Sequence, residues 1–555
     1  MQEKNDALEA QKKYESDVDK TQDKIENFDI LETITNVGND EVFTPKKVCD
    51  MMLDSLPEEV WHHPEYHWLN PCTKNGIFER EIALRLDKGL KDKIPDEITR
   101  RKHILQKMIF SIGLTKFTSE VARRTLYYCN EANRKCDGIR GEDGHFVNGF
   151  AIGNGTWFDT PEGNIKTPKA DHKFEKERCI YCGIQSDSKY VIDPIQNEKY
   201  AYEFIHHDSD GLKKYLAEEF FGGNQNMHFD IIIGNPPYQL STNKEGIQAA
   251  PIYHKFIRQA IDLKPKYLSM IVPARWFTGG IGMDDFRKEF LNDSRIQMIH
   301  DFPKSRDCFA NVDIAGGVCY FLWNSNYNNR IKKTQIISEY AGKQDSVFRP
   351  LNEYPIFIRD NTGINIIRKI HKISTIFLNS KVGSISPFGI PTTLRGEKAP
   401  FSDCITLISS TGLTYIKKEQ VLKGTDIISK YKVSIGQLNP DRGGVNNASD
   451  GKSRVTTTIK IYKPGEVFTA TYLLLGSFET FKEAEYFTSY IKTKFVRYLI
   501  FLTLTSMHIT KDNFRFVPFQ KYDHIFTDEE LNKKYGLTDE EISRIDSLIR
   551  ETPNV

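Results

Sequence analysis

The nine residues from Asp230 to Tyr238 read Asp-Ile-Ile-Ile-Gly-Asn-Pro-Pro-Tyr. Three consecutive β-branched isoleucines predict a buried strand, and Gly234 with the two prolines after Asn235 predicts a rigid turn at the carboxyl end of that strand. In open α/β sheets, ligands bind at this end of the strands. The turn therefore places the amide of Asn235 and the aromatic ring of Tyr238 where a ligand is expected.

This turn suits the chemistry of a planar exocyclic amine, which is a poor nucleophile because its lone pair is delocalised into the ring. The side-chain oxygen of Asn235 and the carbonyl oxygen of Pro236 can both accept hydrogen bonds from such an amine, which frees the lone pair. Pro236 and Pro237 lack N–H groups and have a fixed φ, so the acceptors are held in advance. Tyr238 offers a surface on which a base stacks. The alternative is a structural Asn-Pro turn followed by a packing tyrosine.

Asn-Pro-Pro-Tyr after a hydrophobic strand resembles motif IV of the S-adenosylmethionine-dependent amino-methyltransferases. That superfamily includes N6-adenine DNA methyltransferases, RNA methyltransferases and enzymes that methylate a glutamine side-chain amide. The tetrapeptide alone does not distinguish among them. The resemblance implies a Rossmann-like catalytic domain, S-adenosylmethionine as cofactor, and catalytic roles for Asn235, Pro236, Pro237 and Tyr238.

Length and composition are those of an ordinary globular protein. The 555 residues predict two or three domains, with 39% hydrophobic and 27% charged residues. A net charge of +1 does not by itself predict nucleic-acid binding, so any such surface must be local. The chain has no apolar run of the roughly 18 residues that a membrane span needs, its start is not a signal peptide, and its cysteines are scattered. We expect a cytoplasmic protein.

Secondary-structure patterns divide the chain into four parts. Residues 1–40 predict a charged helical arm. Strand-like and helix-like segments alternate over residues 41–330 and predict a parallel-sheet α/β domain. Residues 345–535 change to short β-type runs with glycine and asparagine loops, which predict a β-rich α+β domain. The last part, residues 536–555, predicts a helix that begins with a capping box at Thr538 and Glu541.

Two segments before the central motif predict the cofactor site. Thr44 and Pro45 suit the N-cap and first position of a helix, and they resemble motif X, which packs over the methionine end of the cofactor. Residues 68–86 then predict a strand, a tight turn and a helix, which together form a nucleotide-type cradle. This cradle resembles motif I, usually Asp-Pro-x-x-Gly-x-Gly-x-Phe.

The chain keeps part of motif I and departs from the rest. Pro71, Gly76 and Phe78 match, whereas Asn70 stands for the acid and Lys74 for the first glycine. Because Asn70 still accepts hydrogen bonds, we expect a modified pocket rather than a lost one.

After the next predicted strand, these enzymes usually offer an acid to the ribose hydroxyls of the cofactor. Here the tip begins Thr115-Lys116, without a carboxylate, and Glu120 follows in the next helix. Two alternatives follow: the affinity for the cofactor is weak, or Thr115 or Glu120 holds the ribose.

The order of motifs X, I and IV, followed by a large carboxyl-terminal region, resembles the gamma class of N6-adenine DNA methyltransferases from restriction–modification systems. In that class a late loop lines the pocket of the target base, which makes Phe309 a candidate second stacking surface; simple packing is the alternative. The resemblance implies double-stranded DNA with a flipped adenine as substrate, a target-recognition function for the second domain, and a separate restriction endonuclease or helicase subunit as partner. Two alternatives stay open: an RNA or protein-glutamine amino-methyltransferase, and a DNA-binding subunit with a degenerate cofactor site.

An insertion at about residues 140–212 separates motifs I and IV and contains a Cys-x-x-Cys pair, Cys179 and Cys182. One such pair is half a zinc site, and His172 and His206 would complete a tetrahedral Cys2His2 set. A small polar insertion without a core would benefit from a structural zinc ion. The alternatives are an accidental cysteine pair and a redox pair, the latter disfavoured because no thioredoxin-like context surrounds it.

A local excess of positive charge marks the second domain. Residues 411–470 contain ten Lys or Arg against five Asp or Glu. Cationic loops that also contain asparagine suit phosphate contacts and base reading. The predicted DNA-binding residues are Arg442, Lys452, Arg454 and Lys460, and an ordinary solvated face is the alternative.

Overall fold

The computed structural model describes residues 42–128, 162–188, 191, 199–224, 226, 228–240, 250–279, 282–309, 312–340, 343–383, 386–441 and 450–551. The predicted amino-terminal arm at residues 1–40 and the predicted DNA-binding residue Arg442 lie outside the described residues. Within the described ranges, no helix combines the length and apolar character that crossing a bilayer requires.

The first half of the chain is organised around one large sheet. The strands of this half, in chain order, are β1 (Trp68–Thr73), β2 (Ile109–Gly113), β3 (Ile165–Lys166), β4 (Phe174–Glu175), β5 (Arg178–Cys179), β6 (Ile231–Gly234), β7 (Tyr267–Pro273), β8 (Ile296–Phe302), β9 (Val318–Asn324), β10 (Thr334–Tyr340) and β11 (Lys343–Arg349). Strands β4 and β5 form a separate two-stranded ladder, and the others belong to the large sheet. The order across the sheet is β11-β10-β8-β9-β7-β6-β1-β2-β3.

The centre of this sheet is parallel, as the alternating pattern predicts. β1 pairs parallel with β2 and β6, and β6 pairs parallel with β7. The prediction fails at β9, which runs antiparallel to both β7 and β8. Residues 303–317 supply no crossover helix among those described, and a parallel connection requires a crossover. The sheet also continues past residue 330, because β10 pairs with β8 and β11 pairs with β10.

Helices cover both faces of the sheet. They are α1 (Lys46–Asp54), α2 (Ile77–Gly89), α3 (Glu97–His103), α4 (Lys116–Arg123), α5 (Ser209–Phe221), α6 (Tyr253–Asp262), α7 (Asp284–Asn292) and α8 (Asn329–Lys332). Side chains alternate between faces, so Ile232 packs in the layer that contains α5 and α6, whereas Ile231 and Ile233 pack in the layer that contains α1 and α2. Burial on both faces explains the unbroken isoleucine run of β6.

The second half contains smaller sheets and more helix than its sequence suggested. Its elements are β12 (Cys404–Ser409), β13 (Gly412–Lys417), β14 (Tyr431–Gly436), β15 (Lys460–Tyr462), β16 (Glu466–Phe468) and β17 (Tyr472–Phe478), with α9 (Asn361–Ile373), α10 (Phe481–Lys492), α11 (Lys494–Phe501), α12 (Asp528–Lys534) and α13 (Asp539–Leu548). The strands form two three-stranded sheets, β13-β12-β16 and β15-β14-β17. The predicted capping box is confirmed: Thr538 Oγ1 accepts from the Glu541 N–H at 3.3 Å, and Glu541 Oε2 accepts from the Thr538 N–H at 2.8 Å. The domain boundaries stay predictions.

Candidate active site

The Asn-Pro-Pro-Tyr turn lies at the carboxyl end of β6, between β1 and β7 in the middle of the parallel sheet. Asn235, both prolines and Tyr238 are buried. Gly234 is required by close packing, because a Cβ there would lie 2.5 Å from the Asn70 Oδ1 atom. Motifs I and IV therefore meet at the carboxyl edge of the parallel strands, the edge at which ligands bind in open α/β sheets.

The amide of Asn235 is held in one orientation. Its Nδ2 donates to the Val42 carbonyl and to Thr44 Oγ1, each at 3.0 Å. Its Oδ1 is buried and has no hydrogen-bond partner of acceptable geometry among the described residues. A buried oxygen left without a donor costs about 1–3 kcal/mol. Both N–H groups are thus used by the protein, and the oxygen is an acceptor available to a ligand.

Tyr238 lies beside this amide as a neutral phenol. Burial raises its pKa well above the usual value, and the neighbouring Asn235 amide opposes that rise only in part. The ring packs in one hydrophobic cluster with Phe309 and Cys308. The structure therefore brings the two predicted stacking residues into the same cluster, and their contact with a base stays a prediction.

Thr44 does not cap a helix, contrary to expectation. Helix α1 begins at Lys46, with Pro45 as its N-cap and no side-chain cap bond. The Thr44 hydroxyl instead accepts from Asn235, so it is turned towards the active site rather than the helix. The hydrogen bond between Thr44 and Asn235 still joins the predicted motif X to motif IV, although the sequence did not indicate this contact.

The motif I segment forms the strand, tight turn and helix that the sequence predicts. Pro71 lies within β1, and Gly76 is the left-handed N-cap of α2 with φ of 79°. A Cβ at Gly76 would lie 2.9 Å from the Ala122 Cα, so the position requires glycine both for its φ and for the close approach of α4. Phe78 is buried in the layer between α2 and the sheet.

Asn70 and Lys74, the two departures from motif I, both form hydrogen bonds within the protein. Asn70 Oδ1 accepts from the Cys72 N–H at 3.0 Å, and its Nδ2 donates to Glu79 Oε1 at 2.8 Å. Lys74 is buried, and its Nζ donates at 2.9 Å to the same Val42 carbonyl that accepts from Asn235. Sequence reasoning missed Glu79 and Val42. A charged residue in the first turn of a helix above buried strands was the available signal for Glu79, whereas a backbone carbonyl carries no signal.

The tip of β2 is arranged as a helix start. Thr115 is the N-cap of α4, and its Oγ1 accepts from the Thr118 N–H at 3.2 Å. The Glu120 side chain is 49% exposed and pairs with Arg123 at 2.9 Å. These contacts occupy both predicted ribose ligands, whose role towards a cofactor stays a prediction.

The four predicted metal ligands come together in the insertion. The donor atoms of His172, Cys179, Cys182 and His206 all lie within 4.8 Å of one another, and three of the four residues are buried. Cys182 Sγ lies 3.6 Å from His172 Nδ1, and Cys179 Sγ lies 4.0 Å from His206 Nε2. Cys179 ends β5, whereas His206 follows a 3-10 helix at residues 200–205 that packs against β1 and β2.

The cationic segment is partly surface and partly structural. Arg454 and Lys460 are exposed and Lys452 is half-buried, as a DNA-contacting surface requires. Lys432, which contributes to the charge excess, is buried, and its Nζ donates to the carbonyls of Ile428 and Lys463. Burial lowers the pKa of Lys432 to about 8. This lysine therefore does not belong to a phosphate-binding surface.

The sheet order, the cradle at Gly76 and the preorganised Asn235 amide define a Rossmann-like amino-methyltransferase. The family model described as Eco57I restriction-modification methylase matches residues 107–309. The chain is 47% identical over 356 residues to the uncharacterized adenine-specific methylase of Mycoplasma pneumoniae, an alignment that covers 62% of this chain and 81% of that protein. The chain belongs to this family of adenine-specific restriction–modification methylases, which implies use of S-adenosylmethionine.

Two solved structures resemble the chain at low similarity. The Type IIL restriction-modification enzyme MmeI in complex with DNA has a TM-score of 0.42 and 9% identity, covering 92% of this chain and 73% of MmeI. The Type ISP enzyme LlaBIII bound to DNA has a TM-score of 0.39 and 12% identity. That alignment covers 78% of this chain but only 33% of LlaBIII. The family assignment rests on the mycoplasmal relative.

Proposed function

We propose that the chain is a site-specific DNA methyltransferase that transfers a methyl group from S-adenosylmethionine to the N6 amine of adenine in double-stranded DNA. The observation that carries the proposal is the buried Oδ1 of Asn235, an acceptor with both N–H groups of its amide already fixed. Membership of an adenine-specific methylase family supports the same substrate.

The residues of the turn perform the chemical part of the reaction. S-adenosylmethionine would be held by Asn70, Pro71, Gly76 and Phe78 together with Thr44 and Pro45, and would supply an electrophilic methyl group. Asn235 Oδ1 accepts a hydrogen bond from the adenine N6 amine, with the Pro236 carbonyl as second acceptor, and so draws the nitrogen towards tetrahedral geometry. Because the amide is oriented before substrate arrives, little reorganisation is needed at the moment of reaction.

The remaining predicted residues bind the substrate. An adenine flipped out of the duplex stacks between Tyr238 and Phe309, whose shared cluster supports this arrangement. Lys452, Arg454, Lys460 and Arg442 contact the DNA backbone from the second domain. We propose further that the chain acts in the cytoplasm as the modification component of a restriction–modification system, with a separate endonuclease or helicase subunit as partner.

The first test is to express the chain in a bacterial host that lacks adenine methylation and to sequence the genomic DNA with direct detection of modified bases. We expect N6-methyladenine at one recurring motif. The matched control is Asn235→Ala, which should abolish methylation while DNA binding by the purified variant is mostly retained. An unmodified genome in cells with soluble wild-type protein would contradict the proposal, and parallel loss of methylation and DNA binding in Asn235→Ala would contradict the assigned role.

We propose that the insertion holds one structural zinc ion on His172, Cys179, Cys182 and His206. Tetrahedral zinc with bonds of about 2.0–2.3 Å places its donor atoms roughly 3.3–3.8 Å apart. Of the two sulfur–nitrogen distances, 3.6 Å falls within this spacing and 4.0 Å exceeds it by a few tenths of an ångström, so the four donor atoms, which all lie within 4.8 Å of one another, would contract slightly around a bound ion. The ladder of β4 and β5 has two residues in each strand, so it has little core and would gain stability from a metal.

Metal analysis of the purified protein tests this zinc site. We expect about one zinc per chain by inductively coupled plasma mass spectrometry, loss of zinc in Cys182→Ser, and retention in Cys404→Ser, which changes a half-buried cysteine outside the cluster. His206→Ala and His207→Ala form a second matched pair, because His207 contacts Glu203 at 2.7 Å instead of the cysteines. Wild-type protein without zinc, or equal zinc in Cys182→Ser and wild type, would contradict the site.

A further inference from the structure

A buried carboxyl group lies under the motif I turn. Glu79, in the first turn of α2, is 1% exposed. Its Oε1 accepts hydrogen bonds from Asn70 Nδ2 at 2.8 Å and from Ser111 Oγ at 2.7 Å. Its Oε2 is buried and, within the described parts of the chain, has no hydrogen-bond partner of acceptable geometry. Thr73 and the Glu79 backbone also act on this carboxyl and lower its pKa, so the groups that stabilise it are all neutral.

These contacts connect Glu79 to both halves of the active site. Asn70 connects Glu79 to the motif I turn, because the Asn70 Oδ1 atom accepts from the Cys72 N–H at 3.0 Å. The same Oδ1 lies against Gly234, the residue before Asn235, where a Cβ would come within 2.5 Å. A change at Glu79 therefore reaches the cofactor turn and the catalytic turn through a single side chain.

The cost of this arrangement argues against a purely structural role. An ionised carboxylate removed from water is destabilising by several kcal/mol unless a cation or several donors compensate it. The two hydrogen-bond donors to Oε1, an amide and a hydroxyl, are both neutral. Burial is accordingly the largest influence on Glu79 and raises its pKa. Burial therefore favours the neutral carboxyl, and a cation bound near the turn would reverse this preference and favour the carboxylate.

We infer that Glu79, acting through Asn70, is a positioning residue that supplies the acid missing from position 70 of motif I and favours the sulfonium cofactor over its neutral thioether product. The inference rests on the proposed use of S-adenosylmethionine. Usually the acid is the first residue of the motif; here it stands nine residues later and contacts that first residue directly. A negative charge at this place attracts the positive sulfonium of S-adenosylmethionine, and S-adenosylhomocysteine lacks that charge.

Calorimetric titration of the full chain with S-adenosylmethionine and with S-adenosylhomocysteine tests the inference. Glu79→Gln keeps the size and one acceptor oxygen but removes the charge. We expect affinity for S-adenosylmethionine to fall about tenfold, the effect of losing one interaction with a charged group, and affinity for S-adenosylhomocysteine to fall much less. Asn70→Asp combined with Glu79→Gln returns the acid to position 70 and should restore the wild-type preference for the sulfonium.

The ratio of the two affinities separates positioning from packing. A packing role would change both affinities together, so an unchanged ratio in Glu79→Gln would overturn the inference. Failure of the double variant to recover the ratio would overturn it as well, and the double variant carries the test if Glu79→Gln alone does not fold. Wild-type protein that binds neither compound would refute the proposed function, and the inference with it. That result differs from wild-type binding that does not change in Glu79→Gln, which would refute the inference alone.

Discussion

Replacing Thr44 by valine tests whether the orientation of the Asn235 amide limits catalysis. The Thr44 hydroxyl is one of two acceptors for Asn235 Nδ2, at 3.0 Å, and valine removes it with almost no change in volume. A neutral hydrogen bond contributes about 0.5–1.5 kcal/mol, and a buried N–H left without an acceptor costs about 1–3 kcal/mol. Part of this free energy holds the Asn235 amide in the orientation that presents Oδ1 to the amine, so the variant should lose part of that orientation. We therefore expect the methyl-transfer rate to fall about tenfold, equivalent to about 1.4 kcal/mol.

The assay is transfer of a labelled methyl group from S-adenosylmethionine to unmethylated genomic DNA at saturating concentrations of both. Thr44→Ser is the matched control, because it keeps the hydroxyl that accepts from Asn235, and its rate should stay close to wild type. Titration with the cofactor shows whether Thr44→Val acts through cofactor binding instead. Equal rates for the valine and serine variants would refute the reasoning, since the Thr44 contact would then not determine the orientation of the amide.

Three further changes test the cradle, the stacking pair and the junction of the two halves. Gly76→Ala should weaken cofactor binding and destabilise the fold more than Gly536→Ala, because both glycines have positive φ but only Gly76 also lacks space for a Cβ; cofactor titration and thermal unfolding measure this. Phe309→Ala should weaken binding of DNA with an unpaired target adenine by about 1–3 kcal/mol if it stacks on the base, while Phe309→Trp retains binding. Arg359→Ala removes the Nη2 contacts to buried Asp301 at 2.9 Å and to the Gly316 carbonyl at 2.7 Å, and should cost about 3–5 kcal/mol in urea unfolding at pH 8. The loss should be smaller at pH 5, because burial raises the pKa of Asp301 to about 6 in the wild type even though Arg359 opposes the shift, so at pH 5 the carboxyl is already largely protonated and has less charge for Arg359 to compensate.

The parts of the site that the sequence predicts are those with a local signature. A run of isoleucines followed by Gly-Asn-Pro-Pro identifies β6 and its turn because strand, breaker and rigid bend are adjacent in the chain. The Cys179 and Cys182 pair is equally local, and the sequence places His172 before it and His206 after it in the same insertion. Strand β9 was misjudged because its residues have the same buried, β-branched and aromatic composition in either direction. Direction depends on the connection before the strand, and composition does not record it.

What the sequence does not show are contacts between distant parts of the chain. Thr44 has the residue type and position of a helix cap, and only the fold shows that its hydroxyl faces Asn235, 191 residues away. Lys432 and Lys460 contribute equally to the local charge excess, yet one is buried and the other exposed. Burial separates a structural lysine from a phosphate ligand, and burial follows from tertiary packing.

The Val42 carbonyl shows why the altered motif I does not imply a lost site. It accepts from Asn235 Nδ2 at 3.0 Å and from Lys74 Nζ at 2.9 Å. A glycine at position 74 has no side chain with which to reach this oxygen, so the lysine adds an anchor between the motif I turn and the segment that orients the Asn235 amide. The lysine charge lies 5.8 Å from the Tyr238 ring centroid, within the range at which an aromatic face attracts a cation. In this chain the motif I turn and the Asn-Pro-Pro-Tyr turn therefore share one anchor, and we expect Lys74→Gly to weaken cofactor binding in titration and also to lower the methyl-transfer rate, because Asn235 loses part of its orientation.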